Sequence, residues 1–289
     1  MKLHGLIFTL SFLIILSLSG SSQDSVRIKK AEWLPGGNLF PTQRLDFRES
    51  QISGAMYGFR VSGAWQNRAF ALFSAGFRRN VIRWHHPYDR ASELGFELCV
   101  FPQFIFEKPF ETFRVNFFNV DFKVGLHYQY RINNQWRLRA RIYHVSAHLG
   151  DDYIYRYEIE HYVQNQRIFE MLDFSASWLQ GPFTLYGTVG CFIHSTYGRL
   201  PLLVQAGAQW KRPSRKISWF QWIAGIDLRC EQETGFRPSL HLGAGVVFGP
   251  SEKFPVTVMV DYYNGNMPYS LYGDVFIQWA GASLYFDIF

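Results

Sequence analysis

The run from Phe118 to Arg131, FNVDFKVGLHYQYR, restricts this chain more than any other stretch. Phe118, Val120, Phe122, Val124, Leu126, Tyr128 and Tyr130 fall on one side of a period-two pattern. Asn119, Asp121, Lys123, Gly125, His127, Gln129 and Arg131 fall on the other. Successive side chains of a strand point to opposite faces, so this is a strand with one apolar and one polar face. Its length carries the constraint. Strands of soluble sheets usually run about 5–6 residues, whereas a tilted strand that crosses a bilayer needs about 9–11.

The plan repeats along the chain. Trp136, Leu138, Ala140 and Ile142 alternate with Arg137, Arg139 and Arg141, and a short turn at Asn133-Asn134 joins that stretch to the first. Ile217 to Cys230 sets Phe220, Trp222, Ala224, Ile226 and Leu228 against Gln221, Gly225, Asp227 and Arg229. The same count finds strands near 168–180, 183–193, 200–211, 238–249, 254–263 and 275–289, and weaker ones near 52–65, 68–79 and 93–104. Composition agrees: 18% of residues are aromatic and only 18% charged, against about 25% charged in ordinary soluble domains. A secreted β-sandwich with a wet outer face is the competing reading. The expected fold is all-β, a transmembrane antiparallel β-barrel of about 12 strands.

Residues 1–22 read as a signal peptide: Lys2, an uncharged apolar run from Leu6 to Leu18, then Ser19, Gly20, Ser21 and Ser22. The expected organisation is this leader, a periplasmic lead-in over 23–49, and the barrel over 50–289, located in a bacterial outer membrane. Asp46, Arg48 and Glu49 in the lead-in read as a solvated plug or rim ion cluster. The net charge of +6 does not imply nucleic acid, because many basic residues lie on polar strand faces and do not gather into a binding patch. Cys99, Cys191 and Cys230 are odd in number and each sits within a strand, so they form no disulfide framework. The expected partners are outer-membrane lipids and, during biogenesis, the barrel assembly machinery. Terminal Phe289 resembles the assembly signal of outer-membrane barrels, although Leu284, Phe286 and Ile288 share the opposite face. The sequence leaves the oligomeric state open.

Barrels have short periplasmic turns and longer outer loops. Connections near 133–134, 180–182, 213–216 and 250–253 are short, and those near 105–117, 149–167, 194–199, 231–237 and 264–274 are mostly longer. Gln135 to His148 therefore runs outward, and His144, Ser146 and His148 continue its apolar face near the outer rim. A barrel of this size is narrower than porins of 16–18 strands, which argues against a generous diffusion pore.

His144-Val145-Ser146 places an imidazole and a hydroxyl at neighbouring positions on one strand face, as a nucleophile–base pair requires. Tyr143-His144-Val145-Ser146 resembles the His-x-Ser of outer-membrane phospholipase A and of lipid A deacylase. The resemblance implies ester hydrolysis at a lipid-facing rim, with Ser146 as nucleophile, His144 as base and Glu158 at the spacing of the orienting residue. Both families place Asn directly after the Ser, where this chain has Ala147. Tyr153 to Tyr162 reads alternatively as a further strand, which leaves the face of Glu158 open. His148, Asp151 and Asp152 are candidate ligands of a divalent cation, with Ca²⁺ the one carboxylates suit; an exposed polar turn is the plainer reading. His85, His86 and His161 read as loop residues.

A second resemblance covers more of the chain. Asp46-Phe47-Arg48-Glu49, Asn119-Val120-Asp121, the stretch from Tyr143 to Asp152, and Asp261-Tyr262-Tyr263-Asn264-Gly265 look like the landmarks of an uncharacterised bacterial outer-membrane family. That resemblance implies a barrel and supplies no activity. Two functional readings remain. One is a barrel with a structural, binding or small-pore role; the other is a surface hydrolase of phospholipid or lipid A esters.

Overall fold

A computed structural model describes residues 30–108, 114–160, 167–195, 200–217, 219–249, 254–269 and 272–287. The stretch 1–22 expected as a leader, His161 and Phe289 lie outside the described residues. Twelve strands close into an antiparallel barrel: β2 (Ile52–Val61), β3 (Ala64–His85), β4 (Ala91–Glu107), β5 (Arg114–Arg131), β6 (Trp136–Leu149), β7 (Arg167–Gln180), β8 (Phe183–Ser195), β9 (Leu202–Pro213), β10 (Phe220–Glu231), β11 (Ser239–Phe248), β12 (Val256–Asn266) and β13 (Phe276–Phe286). Each pairs with its neighbour in sequence, and β13 closes the ring onto β2, with Trp279 opposite Phe59. Closure gives each of the twelve barrel strands a partner on both sides, which a sheet surrounded by apolar material requires.

The period-two count placed these strands well, and the structure adds two elements to it. Strand β1 (Lys30–Trp33) pairs antiparallel with the end of β3, Lys30 opposite His85 and Trp33 opposite Ile82. His85 therefore closes a strand instead of sitting in a loop, and its ring meets Glu32 at 3.0 Å. The stretch after β6 contains a short helix, α1 (Asp151–Arg156), rather than a strand from Tyr153. Asp151 and Asp152 in its first turn and Arg156 in its last complement the helix dipole. Among the described residues no helix is long and apolar enough to cross a membrane. Ser62-Gly63 joins β2 to β3 with φ of 51° and 83°, the doubly left-handed turn whose twist suits a tight hairpin.

Burial runs opposite to that of a soluble protein. On β5 the apolar Phe122, Val124, Leu126 and Tyr128 are exposed on the outer face, while Lys123, His127 and Gln129 are buried on the inner one. Such a surface suits hydrocarbon on the outside and polar pairing within.

What the inner face pairs with is the segment from 34 to 51. Its described part before the first barrel strand, within the stretch expected as a periplasmic lead-in, packs against that face: Phe40 and Glu49 are fully buried. The reading of Asp46, Arg48 and Glu49 as a solvated cluster is corrected at Glu49, whose carboxylate is surrounded by guanidiniums. Arg139 Nη1 donates to its Oε1 at 2.9 Å, Arg141 Nη1 to its Oε2 at 3.1 Å, and Arg78 Nη1 lies 2.9 Å from Oε1. Arg141 also donates to Asp173 at 2.8 Å, and Lys123 pairs with Glu97 at 2.9 Å while donating to the Arg48 carbonyl at 2.8 Å. An ion in low dielectric is tolerated only with such pairing.

Aromatic packing holds the two ends of the plug. The Arg139 guanidinium lies 4.3 Å from the Phe40 ring centroid, and Phe47 stacks on His241 at 4.4 Å with Trp279 edge-on at 5.4 Å. A chain segment thus occupies the interior that the small-pore reading would leave for solute.

Candidate active site

β6 explains the site by parity. Arg139, Arg141, Tyr143, Val145 and Ala147 point inward and are buried, so Trp136, Leu138, Ile142, His144, Ser146 and His148 share the outer face. On one flank, β5 sets Val124 opposite His144, Phe122 opposite Ser146 and Val120 opposite His148, which makes an apolar wall. On the other, β7 sets Glu170 opposite His144 and Ile168 opposite Ser146. Glu170 falls in the outward register of β7, between Ile168 and Leu172 and in line with Phe174. It is a carboxylate at a position where the rest of the strand is apolar.

β8 completes the row through an irregularity. Tyr186, Thr188 and Phe192 are buried on its inner face, so strict alternation would turn His194 inward as well. The register slips between Glu170 and Met171: Glu170 pairs with His194 and Met171 with Phe192, which leaves Ile193 as the extra residue. A bulge of one residue re-aims the side chains beyond it, and His194 is exposed on the outer face beside Glu170.

Two hydrogen-bonded groups result. Ser146 Oγ lies 2.6 Å from His148 Nε2, and the Phe122 ring packs edge-on against His148 at 6.0 Å. His144 Nδ1 lies 2.9 Å from Glu170 Oε1, and His194 Nδ1 lies 2.8 Å from Glu170 Oε2. An ionised carboxylate only accepts hydrogen bonds, so each Nδ1 carries the proton and each neutral ring keeps its lone pair on Nε2. The opposite end of the imidazole is thus free to take a proton, as a general base requires.

The sequence-derived candidates separate in the structure. His144, Ser146 and His148 are together on the outer face. Glu158 is exposed beyond α1 with φ of 50°, and the carboxylate that reaches His144 is Glu170. The spacing that pointed to Glu158 assumes a short hairpin, but the connection from 150 to 166 delays the start of β7. Asp151 and Asp152 are exposed in the first turn of α1, where Asp152 Oδ2 accepts from the Phe117 N–H at 3.3 Å. His148 turns to Ser146 instead, and among the described residues no set of three His, Cys, Asp or Glu is arranged to hold a metal ion. Ser146 and His144, expected within bonding reach of each other, share the face, but the hydroxyl is bonded to His148.

All round the barrel the outer face is apolar: Leu94 and Leu98 on β4, Leu185 and Val189 on β8, Val204 on β9, Val260 on β12 and Leu284 on β13 are exposed. The polar groups form an island in an apolar belt.

Residues 20–286 match a family model described as "Protein of unknown function (DUF1207)". The chain belongs to this family. No curated protein matches the sequence. Among solved structures, this DUF1207 chain is similar to outer membrane phospholipase A from Escherichia coli, with 10% identity over 88% of this chain and 95% of that one, at a TM-score of 0.55. The Salmonella typhi outer membrane phospholipase dimer with bound calcium gives the same values. LpxR from Salmonella typhimurium is 12% identical over 82% of this chain and all of that one, at a TM-score of 0.39. At 10% identity the likeness to the phospholipase A barrels is one of fold. The DUF1207 chain is therefore an outer-membrane-type β-barrel, and its chemistry is to be argued from its own side chains.

Proposed function

We propose that this barrel sits in a bacterial outer membrane with its longer loops outside, and that its β6–β8 patch hydrolyses acyl esters of lipids. The observation that carries the reading is a serine hydroxyl on the outer face, bonded to one imidazole at 2.6 Å and two residues from a second imidazole held by a carboxylate. Ionisable groups facing lipid are costly, so their place in an apolar belt points to use rather than packing. The barrel fold can carry such chemistry, since the phospholipase A barrels that share it are named for lipid hydrolysis.

In this mechanism Ser146 is the nucleophile and His144 the base. Glu170 fixes the tautomer of His144 and steadies the imidazolium that forms. His148 holds the resting hydroxyl, and rotation about χ1 of Ser146 carries Oγ toward His144 Nε2. The Ser146 proton passes to His144 as Oγ adds to the ester carbonyl. The tetrahedral centre collapses with loss of the alcohol, which takes the proton from His144, and water attacks the acyl-serine by the same route in reverse.

The test is hydrolysis of phospholipid and of lipopolysaccharide by purified, reconstituted wild type and by Ser146→Ala. Fatty acid release by wild type, lost in a variant that still shows the heat-modifiable gel mobility of a folded barrel, supports the proposal. Absence of release by wild type on both substrates, or undiminished release by the variant, overturns it. The second reading, a plugged structural barrel, is favoured by the filled lumen and would stand in that case.

A further inference from the structure

The connection between β9 and β10 concentrates charge in a way that the rest of the short-turn end does not. Lys211, Arg212, Arg215 and Lys216 place four basic residues within six, and all four are exposed. This corrects, for one turn, the sequence reading that basic residues do not gather. Elsewhere at that end Arg131 pairs with Asp89 at 2.9 Å, Arg83 with Glu93 at 2.7 Å and Arg44 with Asp287 at 2.7 Å. Arg137 donates to backbone carbonyls and Arg90 lies over the Tyr88 ring, so that among the described residues only the β9–β10 turn gathers several such cations. Among the described residues Arg212, Arg215 and Lys216 have no acidic partner.

The turn has a defined shape. Ser214 Oγ accepts from the backbone N–H groups of Lys216 and Ile217, both at 3.3 Å, and the Ser214 N–H donates to the Phe220 carbonyl at 2.8 Å. Immediately beside it lies an aromatic cluster on the outer face. Arg212 is the cross-strand neighbour of Trp222, and Phe220 meets Trp222 at 5.0 Å and Phe248 at 5.5 Å, with Trp219 a further 6.4 Å from Phe220. Trp219 and Trp222 are each 51% exposed. Exposed tryptophans mark the depth of lipid headgroups, and guanidinium and ammonium groups without an acidic partner among the described residues call, at that depth, for phosphate oxygens.

We propose that the β9–β10 turn is a binding site for anionic phospholipid headgroups, with Arg212, Arg215 and Lys216 on the phosphate and Trp219 and Trp222 against the glycerol and upper acyl chains. The choice of phospholipid over lipopolysaccharide rests on the orientation proposed above, which puts this turn in the inner leaflet, and not on the ester-hydrolase chemistry. Like charges this close repel one another, and an anionic headgroup between them turns that repulsion into attraction.

Native mass spectrometry of the detergent-purified full chain tests this with phosphatidylglycerol, phosphatidylcholine and lipid A as probes. The expected result is preferential retention of phosphatidylglycerol. The combined variant Arg212→Gln, Arg215→Gln, Lys216→Gln should lose at least about tenfold in its retention, since each basic residue at a membrane surface contributes about fivefold. Arg215→Lys, which keeps the charge, should retain the preference, and heat-modifiable gel mobility reports whether each variant is folded. Equal retention of phosphatidylcholine, unchanged retention by the combined variant, or a preference for lipid A would each overturn the proposal. If hydrolysis fails while this preference holds, only the ester-hydrolase reading falls.

Discussion

Two regions of this barrel hold most of its buried or membrane-depth charge, and they treat it differently. Inside, Glu49 is met by Arg78, Arg139 and Arg141, and Arg141 is met in turn by Asp173, so positive and negative groups interlock. Outside, on β6–β8, Glu170 lies between His144 and His194, and Ser146 lies between His144 and His148 in sequence, partly exposed and bordered by Val124, Phe122 and Ile168. The inner network explains itself, because a plug that carries carboxylates into a basic lumen gains its binding energy from their pairing. Among the described residues the outer groups bond only across β6, β7 and β8, strands that the backbone ladder already joins. A charge that stabilises a fold is embedded in partners, and the proposed hydrolase reading gives the outer charges their use.

That contrast can be broken at either end. The largest effect is expected at Ser146→Ala: a loss of ester hydrolysis of about 10⁴-fold or more, as for a nucleophile removed from a linked set, with gel mobility of the folded barrel unchanged. Glu49→Gln should behave conversely. It leaves three guanidiniums without their shared anion, a loss of about 3–5 kcal/mol for a broken buried network, read as a lower temperature for conversion of the heat-modifiable band, with any hydrolysis retained per folded molecule. Should Glu49→Gln leave that temperature unchanged, the plug is held by its aromatic contacts instead.

Smaller effects sharpen the assignment within the patch. Glu170→Ala releases His144 from its tautomer and should lower kcat by about 10²-fold, within the 10²–10⁴ range that general base catalysis contributes, with KM little changed. His144→Ala should cost more than His148→Ala in the same assay; the reverse order would make His148 the base. His194→Ala removes only an exposed second partner of Glu170, an interaction worth about 0.2–1 kcal/mol, so at most about a fivefold fall in rate is expected.

How much of this was legible in sequence depends on what sets each feature. The strands were legible because lipid outside and a polar lumen inside write one residue in two: Phe122, Val124 and Leu126 against Lys123, Gly125 and His127. The outward face of His144 and Ser146 comes from the same parity. Glu170 was in principle visible, as the one charge among Ile168, Leu172, Phe174 and Ala176 on a strand the sequence places near 168–180, but its position opposite His144 is a matter of register between two strands. His194 was not. Its parity points inward, and the bulge at Ile193 that turns it outward is a property of two paired strands rather than of either alone. The plug was legible only in part: Asp46, Arg48 and Glu49 read as a solvated plug or rim ion pair, and the burial of Glu49 follows only once Arg78, Arg139 and Arg141 are known to converge on one point of the lumen. The stretches that resemble the family include Glu49 of that network and Asp261, which accepts from the Tyr57 hydroxyl at 3.1 Å, so much of the family resemblance tracks the interior.

The account turns on whether Ser146 is a nucleophile at the membrane surface, and reaction with a fluorophosphonate probe measures that most directly. Wild type reconstituted in lipid should form one covalent adduct, located by peptide mass spectrometry at Ser146, and His144→Ala should slow its formation by about 10²-fold or more. A folded wild type that forms no adduct, or one modified at the same rate after His144 is removed, would contradict the account and leave the patch a polar feature of a structural barrel.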